Sequence, residues 1–151
     1  MWQRKQTVYL VLAAIAMLVA LCLPVATFDS KTMGPVPVLY NMALVMPDRR
    51  LDFFTCPLGL VLAIAVAVTI ITIFLFKKRM VQVRLCSLAC CFVAVWYILL
   101  VAYAMTSLKA YGALQVTWSD SLPLVAFILC LMARRGIRAD EQLVRSMDRI
   151  R

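Results

Sequence analysis

Long apolar segments alternate along the chain with short segments that carry the charged residues. Segments 7–28, 58–76 and 85–107 contain no Asp, Glu, Lys or Arg. Each is close to the length of about 20 residues that crosses roughly 30 Å of hydrocarbon as a helix. The pattern therefore predicts three membrane-spanning helices in the first 107 residues.

A fourth segment, 116–133, is less clear. Its continuous apolar run covers only residues 122–133, so it reaches spanning length only if its polar start lies in the outer interface. That start contains Asp120, the single acidic residue near a span, which we expect to be solvated there. The apolar pattern alone does not decide between three spans and four.

The distribution of positive charge favours a fourth span. Lys and Arg are enriched in short cytoplasmic segments of membrane proteins. Twelve of the 16 Lys and Arg residues lie in the N-terminus, in the connection 77–84 and in the tail after residue 133. Four spans place all twelve on one side, whereas three spans place the arginines of the tail on the other. We therefore predict an all-α, antiparallel four-helix transmembrane bundle with both termini in the cytoplasm.

This topology divides the chain into two parts. Residues 1–133 form the bundle, with an outer loop at 29–52, and residues 134–151 form a basic amphipathic helix in the cytoplasm. Such a helix binds anionic headgroups or docks a protein partner through its apolar edge, and the sequence leaves both open. Residues 36–46 of the outer loop are apolar with Asn41 at their centre, and we interpret them as a short hairpin or a flap on the bundle. The loop as a whole either follows the interface or acts as a partner-binding lid.

The composition supports lipid as the solvent. The chain is 65% hydrophobic with a mean hydropathy of +0.94, whereas soluble domains are about 45–50% apolar. The net charge of +9 is explained by the predicted cytoplasmic segments, so no nucleic-acid partner is expected. The expected partners are membrane lipids with anionic headgroups, a protein subunit or a second copy of the chain.

The sequence contains no pattern for catalysis, a cofactor or a metal. The chain has no His, and no charged residue lies in the middle of a span, where ion paths and intramembrane active sites usually carry one. We therefore expect a non-enzymatic accessory or scaffold subunit. The alternative is a small oligomeric transporter or channel, which would depend on Thr69, Thr72 or Asp120.

Two sets of residues are candidates for interaction. Small residues at intervals of four let membrane helices approach closely, and buried cysteine commonly packs as a small apolar residue. The predicted packing set is Ala16, Ala20, Gly59, Ala63, Ala67, Cys86, Cys90 and Ala94. The predicted cytoplasmic contact set, for lipid or a partner, is Lys77, Lys78, Arg79, Arg84, Arg134, Arg135, Arg138, Arg145 and Arg149. A disulfide between Cys22 and Cys56, near the outer ends of their spans, stays open.

Three stretches of the chain resemble a known family. They are WQRKQTVYLVLAAI at 2–15, FLFKKRMVQVRLC at 74–86 and ARRGIRADEQLVRSMDRIR at 133–151. They are similar to short four-span membrane proteins of Bacteroidota that are catalogued as a domain of unknown function. The resemblance implies a bacterial inner-membrane protein with both ends in the cytoplasm. It implies no activity and no catalytic residues.

Overall fold

The structure, a computed structural model, describes residues 3–29, 36–75, 78–108 and 113–148. These residues are mostly helical, as predicted. Their four long helices are α1 Gln3–Cys22, α2 Cys56–Phe74, α3 Arg79–Met105 and α4 Ser121–Asp148. Short 3₁₀ turns at Phe53–Thr55 and Trp118–Asp120 lead into α2 and α4.

A small antiparallel sheet accompanies the helices, so the prediction of an all-α fold is wrong in this respect. Its strands are β1 Pro24–Asp29, β2 Val38–Tyr40, β3 Leu44–Val45, β4 Leu51–Asp52 and β5 Ala113–Val116. Their spatial order is β4-β3-β2-β1-β5. β1 pairs with β5 through Ala26↔Val116 and with β2 through Thr27↔Val38. The sheet thus joins the α1–α2 connection to the segment before α4.

Strand β1 begins where the first predicted span was still expected to be helical. The span was predicted over 7–28, but α1 ends at Cys22. Pro24 disfavours a helical backbone at Leu23, and the β-branched and aromatic residues that follow it suit a half-buried strand. The fourth predicted span begins late for a similar reason, because residues 113–116 pair with β1 and the helix starts only at Ser121.

The four helices form a bundle in which each packs against two neighbours. α1 and α3 both pack against α2 and α4. At one end, which we call the basic end, the start of α1 meets the C-terminal half of α4 through Gln6 and Asp140, and the end of α2 meets the start of α3 through Thr72 and Gln82. The sheet lies at the opposite end, which we call the sheet end. Neighbouring helices therefore run antiparallel.

Buried positions recur along each helix at alternating intervals of four and three. In α2 the buried set includes Leu58, Leu62, Ala65, Thr69 and Thr72. The same spacing relates the buried residues Ala126, Cys130, Ala133 and Ile137 of α4. A mean period of 3.5 is typical of helices that pack nearly parallel to one another over a long distance. The bundle core thus extends along the whole length of its helices.

This period explains why the predicted packing set is only partly buried. Ala20, Gly59, Cys86 and Cys90 are buried, and Ala16 and Ala63 are half-buried. Ala67 and Ala94 are exposed, which corrects the packing role predicted for them. Each step of four residues advances about 40° around a helix with 3.6 residues per turn. The third residue of such a series has therefore rotated away from the core.

The predicted boundary between bundle and tail, at residues 133 and 134, lies inside one uninterrupted helix. Packing continues beyond it, because Ile137 is only 1% exposed and Asp140 contacts α1. Gly136 permits this contact, since a Cβ atom there would lie 3.2 Å from Cγ of Gln6. The glycine marks a close helix–helix approach.

Within the described ranges, three helical stretches are long and apolar enough to cross a membrane: Lys5–Cys22, Phe53–Phe74 and Met80–Met105. Helix α4 does not meet that criterion, because Arg134 and Arg135 end its apolar run. Large apolar side chains also cover the outside of the bundle, including Ile64, Ile98 and Ile128. Such a surface is expected of a chain whose helices face hydrocarbon.

Candidate functional site

The start of α3 and the C-terminal half of α4 enclose a cavity at the basic end of the bundle. Its volume is about 330 Å³. The lining residues are Met80, Val83 and Arg84 of α3 and Arg138, Glu141 and Gln142 of α4. Two arginines and one glutamate thus line the cavity, and Glu141 already has an interaction of its own. The cavity therefore suits an anion better than a cation.

The predicted contact set is only partly brought together here. Arg84 and Arg138 share the cavity, and Lys78 and Arg135 are exposed at the same end of the bundle. Lys77 and Arg149 lie outside the described residues, as do the side chains of Arg79 and Arg145. The structure thus places a pair of arginines, one from each helix, on opposite walls of one cavity.

Polar contacts hold the helix ends that form the basic end. Gln6 of α1 donates a hydrogen bond from Nε2 to Oδ2 of Asp140, at 2.6 Å. Gln82 of α3 donates from Nε2 to the backbone carbonyl of Thr72, at 3.3 Å. Both glutamines are buried, so these bonds satisfy groups that would otherwise be costly to remove from water. They also fix the positions of the helices around the cavity.

Arg134 lies one turn deeper than Arg138 on α4. Its side chain is half-buried on the helix that packs against α3. Its Nε atom is buried and has no hydrogen-bond partner among the described residues. An unsatisfied guanidinium nitrogen at this depth retains the capacity to donate to an anion.

At the sheet end, a two-residue turn between β2 and β3 inserts Asn41 into the bundle. Nδ2 of Asn41 donates to the carbonyl of Ala20 at 2.9 Å, and Nε1 of Trp96 donates to Oδ1 of Asn41 at 2.9 Å. The turn reaches this depth because Gly59 has no side chain, and a Cβ there would lie 2.9 Å from the carbonyl oxygen of Asn41. Asn41 thus connects the end of α1 to α3.

Asp120 is buried at the same end, in the turn before α4, and is only 8% exposed. Its backbone carbonyl accepts a hydrogen bond from the Tyr97 hydroxyl at 2.5 Å. Its carboxyl Oδ2 atom has no hydrogen-bond partner within the described part of the chain. Burial away from water raises the pKa of the Asp120 carboxyl from 3.8 to about 7. The expectation that this residue is solvated is therefore wrong.

Two threonine hydroxyls in the bundle core are satisfied within their own helix. The hydroxyls of Thr69 and Thr72 donate to the carbonyls of Ala65 and Val68 in their own helix. The side chains of Cys90 in α3 and Cys130 in α4 are buried in the core. A search of the described ranges finds no group of three or more His, Cys, Asp or Glu residues that could hold a metal ion. Cys22 and Cys56 are free thiols.

The pairing of Gln6 with Asp140 and the role of Asn41 were not foreseen from the sequence. Each of these residues is a polar side chain beside or within an apolar run, and that isolation is the available signal. A buried polar group needs a partner, but the sequence does not reveal which one across 134 positions. Only the bundle geometry brings α1 and α4 together.

Comparison with known proteins gives one assignment. No curated protein matches the chain. The model of the family DUF4293, described as a domain of unknown function, matches residues 2–150 and hence almost the whole sequence. The resemblance to a domain-of-unknown-function family is thereby confirmed, and the chain belongs to the DUF4293 family.

Proposed function

We propose that this protein is a non-enzymatic integral membrane protein that acts as an accessory or scaffold subunit. In this proposal its basic end faces the cytoplasm and contacts anionic lipid headgroups or a protein partner. The observation that carries the proposal is the cavity at that end, where Arg84 and Arg138 meet beside a bundle with an apolar exterior.

The bundle geometry supports the proposed orientation. The start of α1, the α2–α3 connection and the C-terminal half of α4 lie at the same end. These are the segments that carry twelve of the 16 Lys and Arg residues, so one orientation places all twelve in the cytoplasm. Each basic residue near an anionic leaflet adds on the order of 1 kcal/mol of attraction.

Helix α4 crosses the membrane in this proposal although it is less apolar than its neighbours. It packs between α1 and α3, so part of its surface faces protein and not lipid. From Ser121 to Ile137 it rises roughly 25 Å at 1.5 Å per residue, close to the thickness of the hydrocarbon. Arg134 and Arg135 lie near its cytoplasmic end, where long side chains reach the headgroups.

The test removes positive charge from one end at a time. A triple variant, Arg79→Gln, Arg84→Gln and Arg145→Gln, is compared with the matched triple variant Arg49→Gln, Arg50→Gln and Lys109→Gln in the predicted outer connections. The protein is extracted in native nanodiscs, and its bound lipids and cross-linked partners are identified by mass spectrometry. We expect the first variant to lose more than tenfold of its anionic-lipid enrichment or its partner cross-links. The matched variant should keep both, and unchanged binding in the first variant would refute the proposal.

The alternative function, a small oligomeric transporter or channel, requires a polar path through the bundle. The hydroxyls of Thr69 and Thr72, which such a path would use, already donate within α2. We therefore give this function second place. An ion flux in proteoliposomes that disappears in Thr69→Val or Asp120→Asn would support it over the accessory role.

A further inference from the structure

The outward groove between α3 and α4, which we call the α3–α4 seam, contains a second cavity. It lies toward the sheet end and has a volume of about 280 Å³. Its lining is Val93, Ala94, Tyr97 and Ile98 of α3 with Leu124 and Phe127 of α4. In contrast to the cavity with the two arginines, this one is formed almost entirely by apolar side chains. One seam thus offers an anion-binding site at one end and an apolar site toward the other.

The distance between the two cavities matches one leaflet of a membrane. Arg84 and Ala94 are ten residues apart on α3, which corresponds to about 15 Å along the helix. Arg138 and Phe127 are eleven residues apart on α4, or about 16 Å. Half of a hydrocarbon core of roughly 30 Å is also about 15 Å. With the arginines at the headgroups, the near end of the apolar cavity lies at the middle of the bilayer, and its far end, at Ile98 and Leu124, lies about 21 Å from the arginines.

Small side chains on α3 join the two cavities. Ser87 and Cys91 follow Arg84 at intervals of three and four residues, and Ala94 comes next, so all lie on one face of the helix. Ser87 is half-buried, and Cys91 and Ala94 are exposed. The small side chains at these positions leave little bulk on the face of α3 between the two cavities, and we call this face the channel. Ala94, which does not pack in the core, lies within this channel.

Positive charge is concentrated at the basic end of the seam. The basic end of the seam has Arg84 and Arg138, and the unpartnered Nε of Arg134 lies one turn deeper. Arginine binds phosphate oxygens through two parallel hydrogen bonds, which makes it well suited to a phosphodiester. At the apolar cavity, the Tyr97 hydroxyl donates to the backbone carbonyl of Asp120, so the hydroxyl that lines this cavity is satisfied.

We propose that one anionic phospholipid of the cytoplasmic leaflet occupies the α3–α4 seam. Its phosphate lies between Arg84 and Arg138, and one acyl chain runs over Ser87, Cys91 and Ala94 into the apolar cavity. This inference rests on the proposed membrane orientation and adds to it a defined ligand site. The bound lipid fills the seam and joins α3 to α4 from the outside.

The direct test is photo-cross-linking in the intact protein. The full chain is reconstituted in nanodiscs of phosphatidylcholine that contain a minor fraction of phosphatidylglycerol with a diazirine near the end of one acyl chain. We expect the cross-links to concentrate in the peptides that contain Ala94 and Phe127. Labelling spread evenly over other lipid-facing positions, such as Ile64 and Ile71 of α2, would overturn the proposal.

Variants then separate the chain-binding part of the seam from its charge. Ala94→Phe fills the channel and leaves every charge in place, while Ala67→Phe adds the same bulk at an exposed position of α2. We expect Ala94→Phe to reduce the fraction of protein that retains a phosphatidylglycerol molecule in native mass spectrometry by roughly tenfold. Ala67→Phe should change this fraction little. Equal retention in the two variants would contradict an acyl chain in the seam.

Different results would refute the lipid in the α3–α4 seam and the general contact of the basic end with lipid. If the triple variant of Arg79, Arg84 and Arg145 loses anionic lipid but Ala94→Phe retains it, the basic end binds headgroups without a seated chain. If neither variant changes lipid retention, both the lipid in the seam and the general contact with anionic headgroups are refuted, and if the partner cross-links are also unchanged, so is the proposed function. Glycerol phosphate, which has no acyl chains, should compete at least tenfold less well than the phospholipid, and equal competition would identify a simple anion site.

Discussion

At the scale of single residues, two buried polar side chains at the sheet end differ in whether their polar atoms have hydrogen-bond partners. Asn41 uses its amide as both donor and acceptor, so it is satisfied and holds the turn in place. Asp120 has a carboxyl oxygen without a partner among the described residues. A satisfied group contributes to a unique structure, whereas an unsatisfied acid makes the structure depend on pH.

Asp120 should make the protein less stable as the pH rises. Its carboxyl has an ordinary pKa of 3.8 when the chain unfolds and a pKa of about 7 in the fold. The folded state therefore binds more protons between these values, and the contribution is present below pH 3.8 and is lost as the pH rises through 7. We expect the thermal midpoint in detergent to fall across this window relative to Asp120→Asn. The measurement is a series of unfolding curves for both proteins from pH 4 to pH 8.

The exposed Asp48 provides the control, because Asp48→Asn removes an equal charge from the same end. This variant should follow the wild type at every pH. A constant difference in midpoint between the wild type and Asp120→Asn across the window would show that Asp120 does not titrate in the fold.

At the scale of secondary-structure elements, two glycines allow close contacts of different kinds. A Cβ at Gly59 would lie 2.9 Å from the backbone carbonyl of Asn41 and 2.8 Å from Cγ of Met42. A Cβ at Gly136 would lie 3.2 Å from Cγ of Gln6, which is part of a flexible side chain. Backbone cannot move aside as a side chain can, so the two positions should respond differently to the same substitution.

We expect Gly59→Ala to destabilise the bundle and Gly136→Ala to be nearly neutral. Alanine gains about 1 kcal/mol over glycine inside a helix, but overpacking costs about 1–3 kcal/mol. At Gly59 the clash with the Asn41 turn outweighs the gain, whereas at Gly136 a shift of the Gln6 side chain by a few tenths of an ångström relieves the contact and keeps its hydrogen bond to Asp140. Thermal unfolding followed by tryptophan fluorescence measures both. A loss of stability at Gly136 as large as that at Gly59 would contradict this reading.

The sequence predicted the helices well, and of the sheet it suggested only a short hairpin or flap at 36–46, where β2 pairs with β3. Uncharged runs of spanning length identify α1, α2 and α3, because apolar length is a local property. The strands β3 and β4 have two residues each, and β1 pairs with β5 across more than 80 intervening residues. These strands pair because the bundle brings them together, so no local sequence pattern predicts the pairing. Pro24 was the one local sign that the first helix ends early.

The sequence predicted the positive charge of the candidate site but not which basic residues meet there. The cluster of basic residues near 77–84 and after 133 is visible in the sequence, but the pairing of Arg84 with Arg138 follows from the contact between α3 and α4. The same contact explains why Ala94 is exposed beside a cavity and not buried in the core. The mean period of 3.5 residues between apolar positions is visible in the sequence. Applied to α3, it would have corrected the packing role predicted for Ala94.

At the scale of the whole molecule, the position of α4 decides the topology. Its apolar run is short, and the segment ends in Arg134 and Arg135, each of which costs on the order of 2.5–3.5 kcal/mol at the centre of a spanning helix and less toward its ends. In the bundle, α4 packs against both α1 and α3, and Gln6 satisfies Asp140. The helix thus depends on its neighbours for a favourable place in the membrane.

We therefore expect α4 to cross the membrane in the complete chain and to insert poorly on its own. In the complete chain, a green fluorescent protein fused after Arg151 should fluoresce, and alkaline phosphatase inserted after Asp48 should be active, because these sites lie on opposite sides. Residues 121–137 placed alone between two reporters should insert much less than residues 56–74, which carry no charge. An active alkaline phosphatase after Arg151 would show that the chain crosses three times. The arginines of α4 would then lie outside, and both the cytoplasmic contact and the phospholipid in the α3–α4 seam would have to be abandoned.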